Sequence, residues 1–461
     1  MNTEIVKKIL LNSQVPISKV LENFNETAIF TDKSGFALIT NDDGRCVGIV
    51  SEGDIRRALL SKVQISDPVS KVMNINFVYV SEGDATHLIL RQFDKNVSIL
   101  PILDSNGIPI GLHLYSQFLA STRPVERIIR ARVPVRMSFS GGGTDVSKLF
   151  NEYPSTVLSS TINKYCTASS ITRNDKKIKI KSKDLGLEYS AEEFNEIEFG
   201  DDLDLIKAAI KIMQPEFGFN IETYAEFDPG TGLGGSSAVV VSVLGALNYF
   251  RNEKQFDIYQ IADMAYQVER IDMGMKGGWQ DQYATAFGGF SWIEFGKNSI
   301  VVNPLLIQRE TLLEIEYNLM LFKLKGSRNS DKIQNDYLKN INSLDKTKAA
   351  KKMLTISEKM KNALLTGQVR KFADLLHESW LMKQDLNNKV TNDHIDECYN
   401  IARKLGALGG KLLGAGGTGY LLLYSSPLYQ KDIIAALEKK EAIHELFKFC
   451  SNGLEVWSTK R

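Results

Sequence analysis

Between Asp228 and Ala238 the chain reads Asp-Pro-Gly-Thr-Gly-Leu-Gly-Gly-Ser-Ser-Ala and runs straight into an apolar stretch. Glycines let a backbone approach a ligand closely, and a helix that starts at such a loop aims unpaired N–H groups and its positive dipole end at it. Pro229, Gly230, Gly232, Leu233, Gly234, Gly235, Ser236 and Ser237 are therefore expected to cradle a polyphosphate. No Gly-Lys-Ser/Thr follows, so the string is not a Walker A loop, and its spacing differs from the dinucleotide-binding fingerprint. Phosphoryl transfer also needs a metal on the phosphate oxygens and a group that orients or deprotonates the attacking hydroxyl. Glu269 and Asp281 supply two carboxylates for those tasks. With only five His, none spaced as a ligand pair, carboxylates and basic groups are expected to carry the chemistry.

The string resembles the central motif of the GHMP kinases, the family of galactokinase, homoserine kinase and mevalonate kinase, with Gly235 at the position of its first serine. Arg132-Val-Pro-Val-Arg136-Met-Ser-Phe-Ser-Gly-Gly-Gly-Thr-Asp145 resembles the family's N-terminal motif, and Gly409-Gly-Lys-Leu-Leu-Gly-Ala-Gly-Gly-Thr-Gly-Tyr420 its C-terminal one. Together they carry the resemblance over nearly all of residues 128–461. It implies ATP as phosphate donor and Mg2+ held by Glu269 with Ser236 or Ser237. It further implies Asp281 as base, Arg136 beside the reacting hydroxyl, and Asp145 with Gly142, Gly143, Thr144 and Gly416 against the substrate. The loop within Lys411 to Gly419 would close over the site.

Gly141-Gly-Gly-Thr-Asp145, Gln280-Asp-Gln-Tyr283 with Phe287-Gly-Gly-Phe290, and Gly326-Ser-Arg-Asn-Ser330 are similar to one subgroup, the D-glycero-D-manno-heptose 7-phosphate 1-kinases. Those enzymes phosphorylate an anomeric hydroxyl in making surface-polysaccharide precursors. An anomeric hydroxyl is comparatively acidic, so one Asp aided by Arg136 would be an adequate base system. A 7-phosphate would need a basic pocket, for which Arg328 and Lys183 are candidates. Trp279 could stack on a sugar face or simply pack in the core.

The elements that position these residues follow from the pattern of the chain. At 461 residues it exceeds one ordinary core, so two or three domains are expected. Strand-like runs at Ile129–Phe139, Ser155–Thr172 and Lys177–Ser182 precede the helices around the glycine-rich loop. An α+β kinase of two lobes, 126–305 and 306–461, is expected after a polar segment at Ser121–Glu126.

Before that segment, residues 1–122 read as an internal repeat of about 60 residues. Phe36–Thr40, a turn ending at Gly44, Cys46–Val50 and a helix at Gly53–Ser61 are echoed by Ser98–Leu103, a turn ending at Gly107, Pro109–Leu114 and a helix near Tyr115–Ala120. Each half looks too small to bury its own sheet face. The repeat resembles a pair of CBS domains, an α/β regulatory and dimerising module, which implies an adenine nucleotide at Ser51 and Asp54 and a homo-oligomer. Asp54 could equally be a first-turn helix acid. In the second repeat Gln117 stands where the acid would be.

A formal net charge of +1, with 43% hydrophobic and 24% charged residues, gives no electrostatic pull toward nucleic acid. The longest apolar stretch is too short to span a membrane. Four scattered cysteines without a CxxC pair suggest reduced thiols and a cytoplasmic setting.

Overall fold

The computed structural model describes residues 3–27, 35–84, 89, 92–93, 97–114, 127–251, 255–326 and 344–460. It divides into two compact units, Met1–Val125 and Glu126–Arg461. Among the described residues, no helix is long and apolar enough to cross a membrane.

In the first unit the repeat is plain in the strand order. β1 (Leu10–Asn12) runs parallel to β2 (Phe36–Thr40), which pairs antiparallel with β3 (Cys46–Ser51). β4 (Val80–Ser81), β5 (Ile99–Leu103) and β6 (Pro109–Leu114) repeat that arrangement. Both hairpins turn on a glycine with positive φ, Gly44 at 78° and Gly107 at 79°. Alternation along the strands gives each sheet two apolar faces. Ala37, Ile39 and Val50 pack on Ile17, Val20 and Phe24, while Phe36 and Leu38 share a second core with Ile99, Leu112 and Leu114 of the other repeat. Neither repeat buries both faces without its twin. The helix expected near Tyr115–Ala120 lies outside the described residues.

The second unit is built on a long antiparallel pair, β7 (Arg127–Ser140) and β8 (Ser155–Thr172), at the centre of a nine-stranded sheet. The helix Gly235–Asn248 packs on both strands, with Ala238, Val240, Val241, Val243 and Leu244 all buried. A four-stranded sheet of Ala407–Leu412, Tyr420–Ser425, Leu319–Lys323 and Ile443–Glu445 forms the second layer. Its central strand Tyr420–Ser425 is buried on both sides. Tyr420, Leu422 and Tyr424 join the large core, and Leu421 and Leu423 a separate one.

The division expected at residues 305 and 306 follows the sheets only as far as Glu445. Beyond it, Phe449–Cys450 pairs with β8 and Glu455–Lys460 with β7, where Arg132 donates two hydrogen bonds to Glu455. The end of the chain therefore belongs to the larger sheet.

One contact between the layers places a charge in the interior. Lys411, on Ala407–Leu412, is 2% exposed and donates to the Phe139 carbonyl at 3.2 Å, which also accepts from Ser379. Burial, with the Arg136 charge second, pushes its ammonium down from 10.5 to about 7. The unfolded chain then binds more protons than the folded one between those values, so this lysine destabilises the fold fully below pH 7 and progressively less toward 10.5. Lys411→Met should be more stable than the parent near pH 6.5, by a margin that shrinks near about pH 9.5. Urea denaturation of both proteins at the two pH values checks this; a margin independent of pH would contradict it.

Candidate active site

The strand Phe219–Ala225 leads into the glycine-rich loop, and the helix Gly235–Asn248 starts where the loop ends. Gly234, at φ 76°, makes the left-handed turn into that helix. At Gly235, a side chain is excluded by the Phe227 ring, since a β-carbon there would lie 2.4 Å from it. The local packing thus explains a glycine where the family motif has a serine.

The next two residues carry hydroxyls to one carboxylate. Ser236 Oγ donates to Glu269 Oε1, Ser237 Oγ to Oε2 at 2.5 Å, and Gln282 Nε2 also to Oε2. Glu269 is wholly buried in a π-helical turn, Gln267–Asp272, that continues Ile258–Tyr266. Turns of this kind often mark functional sites. The nearest cationic nitrogen among the described residues, Arg270 Nη1, is 3.9 Å away. A carboxylate wholly removed from water without a close counter-ion is costly unless a cation arrives. Its hydroxyl neighbours are hard oxygen donors suited to magnesium, which takes one or two carboxylates and completes its shell with phosphate and water.

Arg136, on β7, is 2% exposed. Its Nε and Nη2 donate to Asp281 Oδ1 at 2.8 and 2.6 Å, and its Nη1 to the Gly232 carbonyl at 2.6 Å. A solvated strand cation is therefore not what this residue is. Asp281 lies in the first turn of the helix Gln280–Phe287. Its Oδ2 has no hydrogen-bond partner among the described residues.

Asp145 is fully buried behind the Gly141–Thr144 turn. Its Oδ1 accepts from Gly143 N at 2.9 Å and more weakly from Gln280 Nε2 at 3.4 Å, and its Oδ2 accepts from Gln280 N at 3.0 Å. Burial pushes its carboxyl above the usual range, the Gln280 amide opposes this, and the Asp281 charge adds to the rise. Gly278 has no room for a side chain, because a β-carbon would fall 2.0 Å from Asp145 Oδ2. Thr144 turns inward, donating to the Gly141 carbonyl.

These groups open on a cavity of about 390 Å³ lined by Arg136, Gly142, Asp145, Gly232, Ser236 and Asp281 among others. Glu269, Ser237, Leu233 and Thr144 stand behind its wall. Lys411 is in a strand and faces Phe139; the closing loop is Leu413–Gly419. Gly414 presses on Gly232, where a β-carbon would come within 2.4 Å of its Cα. Gly416 lies against Val390, which with Ala415 lines the cavity, while Gly416 itself stands behind that lining.

Other expectations fall elsewhere. The Trp279 ring stacks on Tyr266 and its Nε1 donates to Ser147, which is packing and not a sugar platform. Lys183 pairs with Glu222 outside the lining, and Arg328 lies outside the described residues. In the first unit Ser51 and Asp54 form a reciprocal capping box, with Arg57 on Asp54 Oδ1. Three contributors went unnoticed in the sequence: Gln280, Gln282 and Lys383. Lys383 lines the cavity and donates to the Leu412 and Gly414 carbonyls at 3.0 and 2.5 Å, holding the closing loop.

The arrangement is matched by known proteins. Residues 204–289 match the GHMP kinases N terminal domain, 360–443 the GHMP kinases C terminal domain, and 1–61 the CBS domain. A D-glycero-alpha-D-manno-heptose 7-phosphate kinase of Campylobacter jejuni is 33% identical over 341 residues, covering 72% of this chain and 99% of that protein. A bifunctional fucokinase/GDP-fucose pyrophosphorylase of Arabidopsis thaliana is 27% identical over 70% of the chain, which spans 32% of its length. The crystal structure of a D-glycero-D-manno-heptose 1-phosphate kinase from Bacteroides thetaiotaomicron superposes with a TM-score of 0.60 at 30% identity, covering 71% of this chain and 98% of its own. The chain belongs to the GHMP kinase family, phosphotransferases by fold and motif, and carries a CBS domain at its N-terminus.

Proposed function

We propose that the protein is an ATP-dependent sugar kinase that phosphorylates the anomeric hydroxyl of D-glycero-D-manno-heptose 7-phosphate or a closely related sugar. The observation that carries this reading is the pair of carboxylates at one cavity. Asp281, steered by Arg136 through Oδ1, keeps Oδ2 for a proton, while Asp145, in the cavity lining, would accept from sugar hydroxyls. The names of two relatives supply the sugar.

In this mechanism the helix Gly235–Asn248 receives the ATP phosphates at its N-terminus. Glu269 with Ser236 or Ser237 would hold Mg2+, which neutralises phosphate oxygens when bound. Asp281 takes the proton of the attacking hydroxyl as that oxygen bonds to the terminal phosphorus. The bond to the bridging oxygen breaks, and ADP leaves. Arg136 keeps Asp281 aimed and Gly232 in place, so positioning and charge supply most of the rate. For a phosphate on the sugar, the cavity has Lys276 and Arg270 in its lining.

Asp281→Asn should fold and bind nucleotide as the parent does while kcat falls roughly 10²- to 10⁴-fold, the usual weight of a general base. Near-normal turnover would remove Asp281 from the role. A panel of sugars and sugar phosphates, with ADP release as the signal and phosphorus NMR to locate the new phosphate, tests the acceptor. Product carrying a new phosphate anywhere but the anomeric oxygen would refute that part.

For the CBS domain the corresponding reading is an adenine-nucleotide sensor at Asp54, beside a helix start. AMP should raise the melting temperature of the whole protein, and Asp54→Ala should abolish the rise. No rise in the parent would leave association between chains as the domain's role.

A further inference from the structure

Three consecutive residues at the start of one helix each address a different charged partner of the site. Gln280 gives its backbone N–H and its side-chain amide to Asp145. Asp281 meets Arg136, and Gln282 gives its side-chain amide to Glu269. Neighbouring residues on a helix point about 100° apart, so a single first turn faces the sugar side, the transfer centre and the metal side at once.

Both glutamines are used in an unusual way. Their Nε2 groups donate to carboxylates, yet their Oε1 atoms are buried with no partner among the described residues. An unmet buried acceptor is destabilising, and such atoms in a native structure call for an explanation. An apolar side chain of the same size would fill either place without that defect. What only the amide supplies is a directed hydrogen bond that adds no charge. A lysine or arginine in either position would neutralise the carboxylate. An amide fixes Glu269 and leaves its full negative charge for a cation, and it fixes Asp145 without weakening it as an acceptor.

We infer that Gln280 and Gln282 are a pair of positioning residues that lock the sugar-binding and metal-binding carboxylates to the two sides of Asp281. The pair rests on the kinase reading given above. Gln282 orients the metal-binding group and Gln280 the sugar-binding group, so the two act on separate ligands although one residue separates them. Partners that orient a metal ligand typically change metal affinity 10- to 100-fold when removed.

The test is a double dissociation with Gln280→Met and Gln282→Met in the full chain. MnCl2 is titrated into each protein with ADP present and followed by electron paramagnetic resonance, which needs no turnover. Sugar KM is measured separately with whichever sugar the acceptor panel selects. Gln282→Met should weaken Mn2+ binding by roughly 10-fold or more with sugar KM within about threefold of the parent. Gln280→Met should raise sugar KM by about 10-fold and leave the Mn2+ titration unchanged.

Equal shifts of both quantities in both variants would mean a merely structural role and overturn the inference, as would no shift in either. If Gln282→Met does not fold, Gln282→Asn, which keeps an amide but shortens its reach, should show the same loss of Mn2+ affinity. A parent that binds Mn2+ with ADP but turns over no sugar would refute the sugar-kinase reading, while the Mn2+ arm would still judge Gln282.

Discussion

The contact on which the site depends is the one between Arg136 and Asp281. They are 145 residues apart in the chain, and the guanidinium is almost completely removed from water. A buried guanidinium is tolerable only when its donors are met in a rigid frame. Here two donors go to Asp281 and one to the Gly232 carbonyl. One side chain therefore ties the central strand to Asp281 and to the glycine-rich loop. The loop's return contact, Arg136 N to the Leu233 carbonyl at 2.9 Å, fixes the same strand from its backbone. Rigidity at this point lets the opposite carboxylate oxygen be aimed with no partner among the described residues.

The second layer is held to the first by a shared side-chain core and, at the loop, by close backbone approach. Gly414 meets Gly232, and the Thr231 carbonyl accepts from Tyr420 N at 3.2 Å. Lys383 secures the loop from behind through two carbonyls. The return of Glu455–Lys460 to β7 then closes the chain on the strand that carries Arg136. Both sheets are thereby referenced to one strand, which suits chemistry that needs reacting groups fixed within a fraction of an ångström.

Much of this was legible in the sequence because glycine and the carboxylates state their purpose locally. The string from Pro229 to Ser237 suggested a phosphate loop by type and spacing alone, and the hairpin turns at Gly44 and Gly107 disclosed the N-terminal repeat. Residues whose role is set by a distant partner were not legible. Gly235 looked like an irregularity until Phe227 was seen across it. Lys383 reads as one more lysine on an amphipathic helix, and Trp279 offered an aromatic face that Tyr266 already covers. Gly416 is a related case. In a loop with several glycines, sequence cannot tell which face the ligand and which make room for a neighbour, here Val390. Ser51 and Asp54 left two readings open, and the capping box gives both side chains a part in starting the helix.

The three carboxylates of the site differ in what surrounds them, and the differences sort their tasks. Asp281 has a cation in direct contact, which would steady an anion that accepts a proton in the proposed reaction. Glu269 is wholly buried among hydroxyls and an amide, with the Arg270 guanidinium at 3.9 Å, surroundings that would suit the proposed metal ligand. Asp145 is met by N–H groups alone, and burial together with the Asp281 charge pushes its carboxyl upward. Such a group gains most from neutral donors, which is what sugar hydroxyls are. In the proposed reaction the same functional group would serve as base, metal ligand and hydroxyl acceptor according to whether its neighbour is a guanidinium, a set of hydroxyls or a row of amides.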